Sequence, residues 1–436
     1  MTTSTQKNVV IIGGGSPALS ITDASLICRA RAGQPSALPA AYRVVLVEQN
    51  DFAIHLPALV RAVVLPGSEN DKLTGRLTQG TVFPKGSRHR LICPAKVLAL
   101  REGSVLLDTE FEGSCELPFE RLVIATGATQ APPLRPAPGS TLEDYRELLR
   151  AVQADMGAAE SILIVGGGAV GVEVAGELSH HYPGKKVTLV HSRPRLLLTS
   201  DSAPRKPGAE GFAYAPTPEW VGESLGEQLV ARGVNVALGE RVVFPTGTVT
   251  NKDEWDGRTG KLGRTQAIPL TSGDIVEADY IFASPGNAPN SALVATVDPK
   301  ATSSGGHVLV DGEFRVQSDK PALARVYALG DVASNAGRKT AGLANYEAYY
   351  ASRAIVAHVK AHEADREEKA PVYTAPDLRS IVVPLGDGTG ENIGAGVLDL
   401  RWLGVWAAPR WIIRWFAKDY FVRHFHTLFK GSDEYR

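Results

Sequence analysis

At about 150 residues per domain, a chain of 436 residues has room for roughly three domains, and its 46 basic and 47 acidic side chains leave a net charge of −1. That balance, with charged residues only 21% of the chain, excludes a globally basic nucleic-acid binder and an acidic solvating chain. The three cysteines, Cys28, Cys93 and Cys115, have neither zinc-ribbon nor disulfide-framework spacing, so a reducing, cytoplasmic compartment is expected.

Residues 1–7 are polar, and the apolar run Val9–Ile12 that follows is too short for a signal segment. It reads as a first strand. Arg410 and Arg414 interrupt the most hydrophobic stretch, so no window offers the 18 or so apolar residues of a membrane-crossing helix. Glycine is in excess, at 44 residues, and its placement is informative. The strand Val9–Ile12 flows into Gly13-Gly14-Gly15-Ser16-Pro17-Ala18, a helical pattern through Arg31, and a second strand, Arg43–Val47, that ends on Glu48. The same grammar returns at Ser161–Val165, Gly166-Gly167-Gly168-Ala169-Val170-Gly171, a helix to about His181, and Lys186–Val190. A single repeat at so long a period means two related domains, not a solenoid. Segments 33–39 and 200–218 read as a surface insertion and a long loop, because both are rich in glycine and proline.

In each glycine loop the first glycine makes the turn, the second admits a pyrophosphate, and the third position packs helix on strand. Gly13, Gly15 and Ala18 fill those places in the first loop, with Ser16 and Pro17 opening the helix; Gly166, Gly168 and Gly171 fill them in the second, with Val170 beside them. Glu48 suits the free 2′-hydroxyl of an adenosine ribose. His191, followed by Ser192 and Arg193, has no carboxylate to repel a 2′-phosphate, which favours NADPH at the second site over strict NADH.

Three further segments extend the pattern. Ala125-Thr126-Gly127 resembles the A-T-G motif of flavoproteins with two dinucleotide-binding domains, and Gly330-Asp331 resembles their second flavin motif, with the aspartate on the ribityl chain of FAD. Asp279 to Gly286, with Pro289-Asn290, resembles the segment that returns the chain to the flavin domain. No redox-active cysteine pair accompanies these motifs, which sets aside the thiol–disulfide branch. Gly171-Val172-Glu173, the Asp51 to Arg61 segment and Lys339-Thr340-Ala341 resemble instead the apoptosis-inducing-factor-like branch, with ferroptosis suppressor protein and the type II NADH dehydrogenases.

The resemblance implies an α/β fold: two Rossmann-like domains, the NAD domain inserted in the FAD domain, plus a small C-terminal α+β domain. The corresponding boundaries are 1–137 and 290–370 for FAD, 138–289 for NAD(P)H and 371–436 for the Trp-rich remainder. It also implies FAD contacts from Arg61, Val97, Ala125, Thr126, Gly127, Asp331, Lys339, Thr340 and Ala341, with Gly286 near the nicotinamide nucleotide. Electrons would pass from NADPH or NADH to FAD and on to a quinone-like acceptor. Glu173 would stand near the nicotinamide, or else favour a helix dipole. Lys339 would lie near the flavin pyrimidine, or in solvent; His55 would reach the ring, or lie on the surface.

His358 and His362 lack a third ligand, so no metal is expected. His180 and His181 are read as pointing apart at a helix end. The tail from Pro409 to Lys430 has five basic residues against Asp419 alone. On a helical wheel Trp411, Ile412, Ile413, Trp415 and Phe416 oppose Arg410, Arg414 and Lys418, with a break near Asp419. Such a face either meets a membrane or lipid-droplet surface or packs on the core. Two other functions remain open at this point: a tailoring oxidoreductase acting on a small metabolite, and an NAD(P)H-sensing redox signalling protein. Nucleic acid is not an expected partner.

Overall fold

The computed structural model describes residues 6–21, 38–70, 73–198, 216–245, 254–335, 337–366, 370–373, 380–400, 403–420, 422, 425 and 427–429. The insertion read at 33–39 and the loop read at 200–218 lie outside these, apart from residues 38–39 and 216–218. Cys28, Trp402, Arg423 and Lys430 lie outside them as well.

The first domain begins with β1 (Lys7–Ile12), α1 (Ser16–Ile21), β2 (Tyr42–Val47), β3 (Phe52–Ile54), α2 (Leu56–Ala62), β4 (Thr74–Arg76), α3 (Gln79–Val82) and β5 (Arg90–Ile92). A meander of β6 (Val97–Arg101), β7 (Ser104–Phe111) and β8 (Ser114–Pro118) follows, then β9 (Arg121–Ile124) and the short β10 (Ala128–Thr129). The second domain comprises α4 (Leu142–Ala158), β11 (Ser161–Val165), α5 (Ala169–His181), β12 (Lys186–His191), α6 (Glu219–Ala231), β13 (Asn235–Leu238), β14 (Gly260–Pro269) and β15 (Ile275–Ala283). The chain returns through β16 (Ala288–Pro289), α7 (Ala292–Val297), β17 (Val326–Ala328) and α8 (Ala341–Glu363). It ends with β18 (Ile381–Pro384), β19 (Gly394–Asp399), β20 (Val405–Ala407) and α9 (Arg410–Asp419).

Both central sheets are parallel at their glycine loops. The first runs β17-β9-β1-β2-β5 and the second β13-β12-β11-β15-β14, with β14 alone antiparallel. Strands buried on both faces need continuous apolar runs, and β1 shows why. Val9 and Ile11 face the core shared with α1 and α8, whereas Val10 and Ile12 face the meander. The insertion of the second domain is visible at its two crossings, where β10 and β16 pair antiparallel. Thr126 donates its hydroxyl to the Asn290 carbonyl at 2.8 Å, and Asn290 Nδ2 returns a bond to the Thr126 carbonyl at 2.9 Å.

The C-terminal sheet β18-β19-β20 is antiparallel and lies on the second domain. Gln228 exchanges two hydrogen bonds with the Gly394 backbone, at 2.9 and 3.2 Å. The last described residues return to the first domain, where Phe425, Leu428 and Phe429 join the core beneath β3 and β4. A Cβ on Gly75 would lie 2.2 Å from the Phe429 ring, so only glycine lets that ring seat on β4.

Candidate flavin and nicotinamide sites

The two glycine loops are built alike. Gly13 has φ +114°, and a Cβ there would stand 2.4 Å from the Ala125 carbonyl oxygen; Gly166 has φ +113°, and its Cβ would stand 2.3 Å from that of Ser284. Each turn is thus pressed against the end of a neighbouring strand, at a backbone angle that favours glycine. In the next position the Gly14 N–H donates to Glu48 Oε2, and the Gly167 N–H donates to His191 Nδ1 at 3.1 Å. The side chain that ends the second strand therefore closes the loop in both domains.

The Gly168 position, which a dinucleotide would touch, is kept clear. A Cβ at Gly168 meets nothing within 4 Å, whereas one at Gly171 would come to 1.9 Å from the Gly166 carbonyl. One glycine leaves open space and the other lets helix pack on strand, the division of labour that a dinucleotide-binding loop requires. Gly15 is exposed, Ala18 is buried, and the side chain of Pro17 lies outside the described residues. These cradles fit FAD at the first loop and a nicotinamide nucleotide at the second. A second sign is Arg135: its Nη2 stands 3.7 Å from Asp331, and its buried Nε has no hydrogen-bond partner within the protein.

Glu48 also accepts from the Asn50 N–H at 2.9 Å; burial pushes its carboxyl up, against the pull of these backbone donors. His191 has both ring nitrogens engaged, since Nε2 faces the Leu198 carbonyl at 3.0 Å, and burial lowers its basicity. That leaves Ser192 and Arg193, both half-buried, as the polar groups beside it. Val97 and Ala125 are buried, Gly127 and Gly286 take φ values of +67° and +118°, and Val170 is half-buried in the first turn of α5.

The second flavin motif rests on a residue that motif reading missed. Glu347 of α8 is buried and accepts from the Gly330 N–H at 2.8 Å and from Asn335 Nδ2. Lys339 donates to the backbone and side-chain oxygens of Asn335, both at 3.2 Å. It is not a solvated lysine: burial lowers its pKa, with Glu347 and Asp331 opposing. Thr340 caps α8, its hydroxyl accepting from the Leu343 N–H at 3.3 Å, and Ala341 is the first residue of that helix. The available signal for Glu347 was a lone acid among the apolar positions of a helix.

Two expectations need correction. His55 is buried, with Nε2 bonded to the Tyr420 carbonyl and its ring against Phe425, because the tail covers it. His180 and His181 do not point apart: their rings meet edge-on at 4.7 Å, since Asp387 holds the first and Glu177 the second. The Arg61 guanidinium donates to Glu177 at 2.9 and 3.1 Å. Among the described residues no cluster of three His, Cys, Asp or Glu side chains could hold a metal ion. Cys93 and Cys115 are free thiols, and burial pushes Cys93 up to about 12.

Glu173 is buried in α5, and its carboxyl is held well above the ordinary carboxylate value, first by burial and then by the neighbouring Glu177 charge. Such a group binds a proton in the fold that the unfolded chain has released. Stability therefore falls as pH rises from the ordinary carboxylate value towards the folded one. Glu173→Gln removes that loss: thermal unfolding should show a raised midpoint at pH 7–8 and no change near pH 4.

Residues 5–207 match the family model described as pyridine nucleotide-disulphide oxidoreductase. Proteins of that family bind FAD and take electrons from NAD(P)H, the two cofactors that the cradles fit. Oxidoreductase OXR1 of Ajellomyces capsulatus is 26% identical over 63% of the chain, which spans only about half, 52%, of that relative's length. Ferroptosis suppressor protein 1 of Homo sapiens is 27% identical over 89% of both chains. The sulfide:quinone oxidoreductase of Aquifex aeolicus has the same fold, with a TM-score of 0.64 and 14% identity over 98% of this chain and 92% of its own.

Proposed function

We propose that the chain is an NAD(P)H:quinone-type oxidoreductase working at a membrane surface. The net conversion is NAD(P)H + H⁺ + quinone → NAD(P)⁺ + quinol. The observation that carries this reading is the pair of matched cradles, with no cysteine pair at either among the described residues, beside a unit that exposes Trp406, Trp411 and Trp415. Bound FAD supplies the electron relay between nicotinamide and acceptor. The protein's part is to hold and orient. The Gly13–Ala18 turn, Glu48, Asp331 and Lys339 would hold the flavin; the Gly166–Gly171 turn, Ser192 and Arg193 would hold the nicotinamide nucleotide. Glu173, whose burial beside Glu177 favours the protonated carboxyl, would present a hydrogen-bond donor at the nicotinamide end.

Arg193 is a cation beside His191 that suits a 2′-phosphate, so Arg193→Ala weakens NADPH binding about tenfold and leaves NADH binding unchanged in a fluorescence titration. The acceptor is tested by a panel. Yellow protein bleached by NADPH and quickly reoxidised by a short-chain quinone supports the proposal. A long-lived reduced protein that ignores quinones overturns it in favour of redox sensing.

Support for the surface comes from α9. Ile413 and Ala417 are its buried stripe, whereas Trp411 and Trp415 are 66% and 57% exposed and Trp406 beside them is 60% exposed. Arg410, Arg414 and Lys418 are exposed on the same helix. Indole rings beside cations match the interface of an anionic bilayer. No helix among the described residues is long and apolar enough to cross a membrane. Replacing both Trp411 and Trp415 by serine should cut co-flotation with anionic vesicles by roughly tenfold.

A further inference from the structure

Helix α5 is where the three units meet. Arg61, from α2 of the first domain, gives Nε and Nη2 to Glu177 Oε1 at 3.1 and 2.9 Å, Nη2 to the Gly386 carbonyl at 3.2 Å, and Nη1 to the Lys418 carbonyl at 3.4 Å. Tyr420, the left-handed residue that ends α9, donates its hydroxyl to the same Glu177 oxygen at 2.9 Å. Its ring lies 4.9 Å from the guanidinium, and its carbonyl accepts from His55. Glu177 has no exposed surface, and its second oxygen faces His181 at 3.1 Å. The C-terminal unit also touches the helix backbone closely: a Cβ on Gly176 would lie 2.7 Å from Leu385.

This arrangement has a mechanical consequence. Turning α5 by a single residue would swing the Glu177 charge away from its guanidinium and hydroxyl, leaving it buried and unpaired, which is strongly unfavourable. The junction therefore fixes the rotation of the helix that carries Glu173 one turn upstream. Because Lys418, Tyr420 and Gly386 belong to the C-terminal unit, that rotation depends on how the unit is seated.

We propose that Tyr420 and Arg61 are positioning residues for the hydride half of the reaction: through Glu177 they fix α5 and Glu173, so the seating of the C-terminal unit governs the nicotinamide end. The proposal rests on the assignment of NAD(P)H to the second cradle. The charged and titratable groups around the junction are Glu173, Glu177, His180 and His181 on α5, His55 and Arg61 from the first domain, Arg232 at the end of α6, and Asp387, Lys418 and Tyr420 from the C-terminal unit.

Rapid mixing of the yellow holoenzyme with NADPH across pH 5–9, with hydrogen exchange on the same samples, tests it. Tyr420→Phe should keep its flavin, bleach about tenfold more slowly at saturating NADPH with a displaced pH profile, and exchange the amides of Ala169–His181 faster. Glu177→Gln should do the same by removing the charge the junction is built around. If both variants bleach at the wild-type rate with the wild-type pH profile, the proposal alone is overturned. If neither NADPH nor NADH bleaches the wild-type protein, the cofactor assignment falls and the proposal with it.

Discussion

A Gly13→Val protein emerges from purification without flavin. Its backbone at residue 13 has φ +114°, a region that costs a side-chain-bearing residue about 1–3 kcal/mol. Strain is the smaller part of the penalty. The new Cβ would sit 2.4 Å from the carbonyl oxygen of Ala125 and 2.9 Å from its carbon, and neither atom can rotate away because β9 pairs with β1 in register through Ile124. Relief requires the turn to lift from the sheet, which carries Gly14 away from Glu48 and opens the cradle. The check is the ratio of flavin to protein absorbance, expected to fall almost to zero, alongside circular dichroism for the remaining fold.

Arg61→Ala destabilises the protein by about 3–5 kcal/mol. Glu177 keeps Tyr420 and His181 as neighbours but loses the only full positive charge that donates to it at hydrogen-bond distance among the described residues. In the wild-type fold burial pushes the Glu177 carboxyl up, but His181, Arg61 and Tyr420 together bring it below its ordinary value. A carboxyl lowered in the fold contributes stability above its unfolded value and loses that contribution as pH falls through the folded one. Without Arg61 the contribution is absent at neutral pH. The gap between variant and wild-type unfolding midpoints should therefore be widest at pH 6–8 and should narrow below about pH 4. A gap independent of pH would mean that lost packing, not the ion pair, is responsible.

The strands and both glycine turns could be read from the chain because their causes are local. A doubly buried parallel strand needs an unbroken apolar run, and the turn after it needs glycine at set places. The end of α9 was equally readable: the apolar arc shifts at Asp419, and the helix stops there, at a left-handed Tyr420. What could not be read depends on chain arriving from far away. Ile413 and the two tryptophans belong to one broad arc of the wheel, but the core takes up Ile413 and Ala417 and leaves Trp411 and Trp415 exposed. His55 looked like a loop histidine because its cover comes from Tyr420 and Phe425, more than 360 residues later. Arg61 and Glu177 meet across 116 residues, and nothing in the spacing of either segment announces the pair.

The Phe429 ring on the Gly75 backbone bears on how the polypeptide is made. The first domain draws its core from three separated stretches, and the last, with Phe425, Leu428 and Phe429, lies about 350 residues after Gly75. During synthesis the glycine turn and its strands emerge well before this last stretch, and the floor beneath β3 and β4 stays open until Phe425 and Phe429 have been translated. Contacts so distant in sequence close slowly, and an unfinished apolar floor invites association with other chains. A nascent chain arrested before Phe425 is therefore expected to be a client of chaperones even though both of its nucleotide cradles have already been translated.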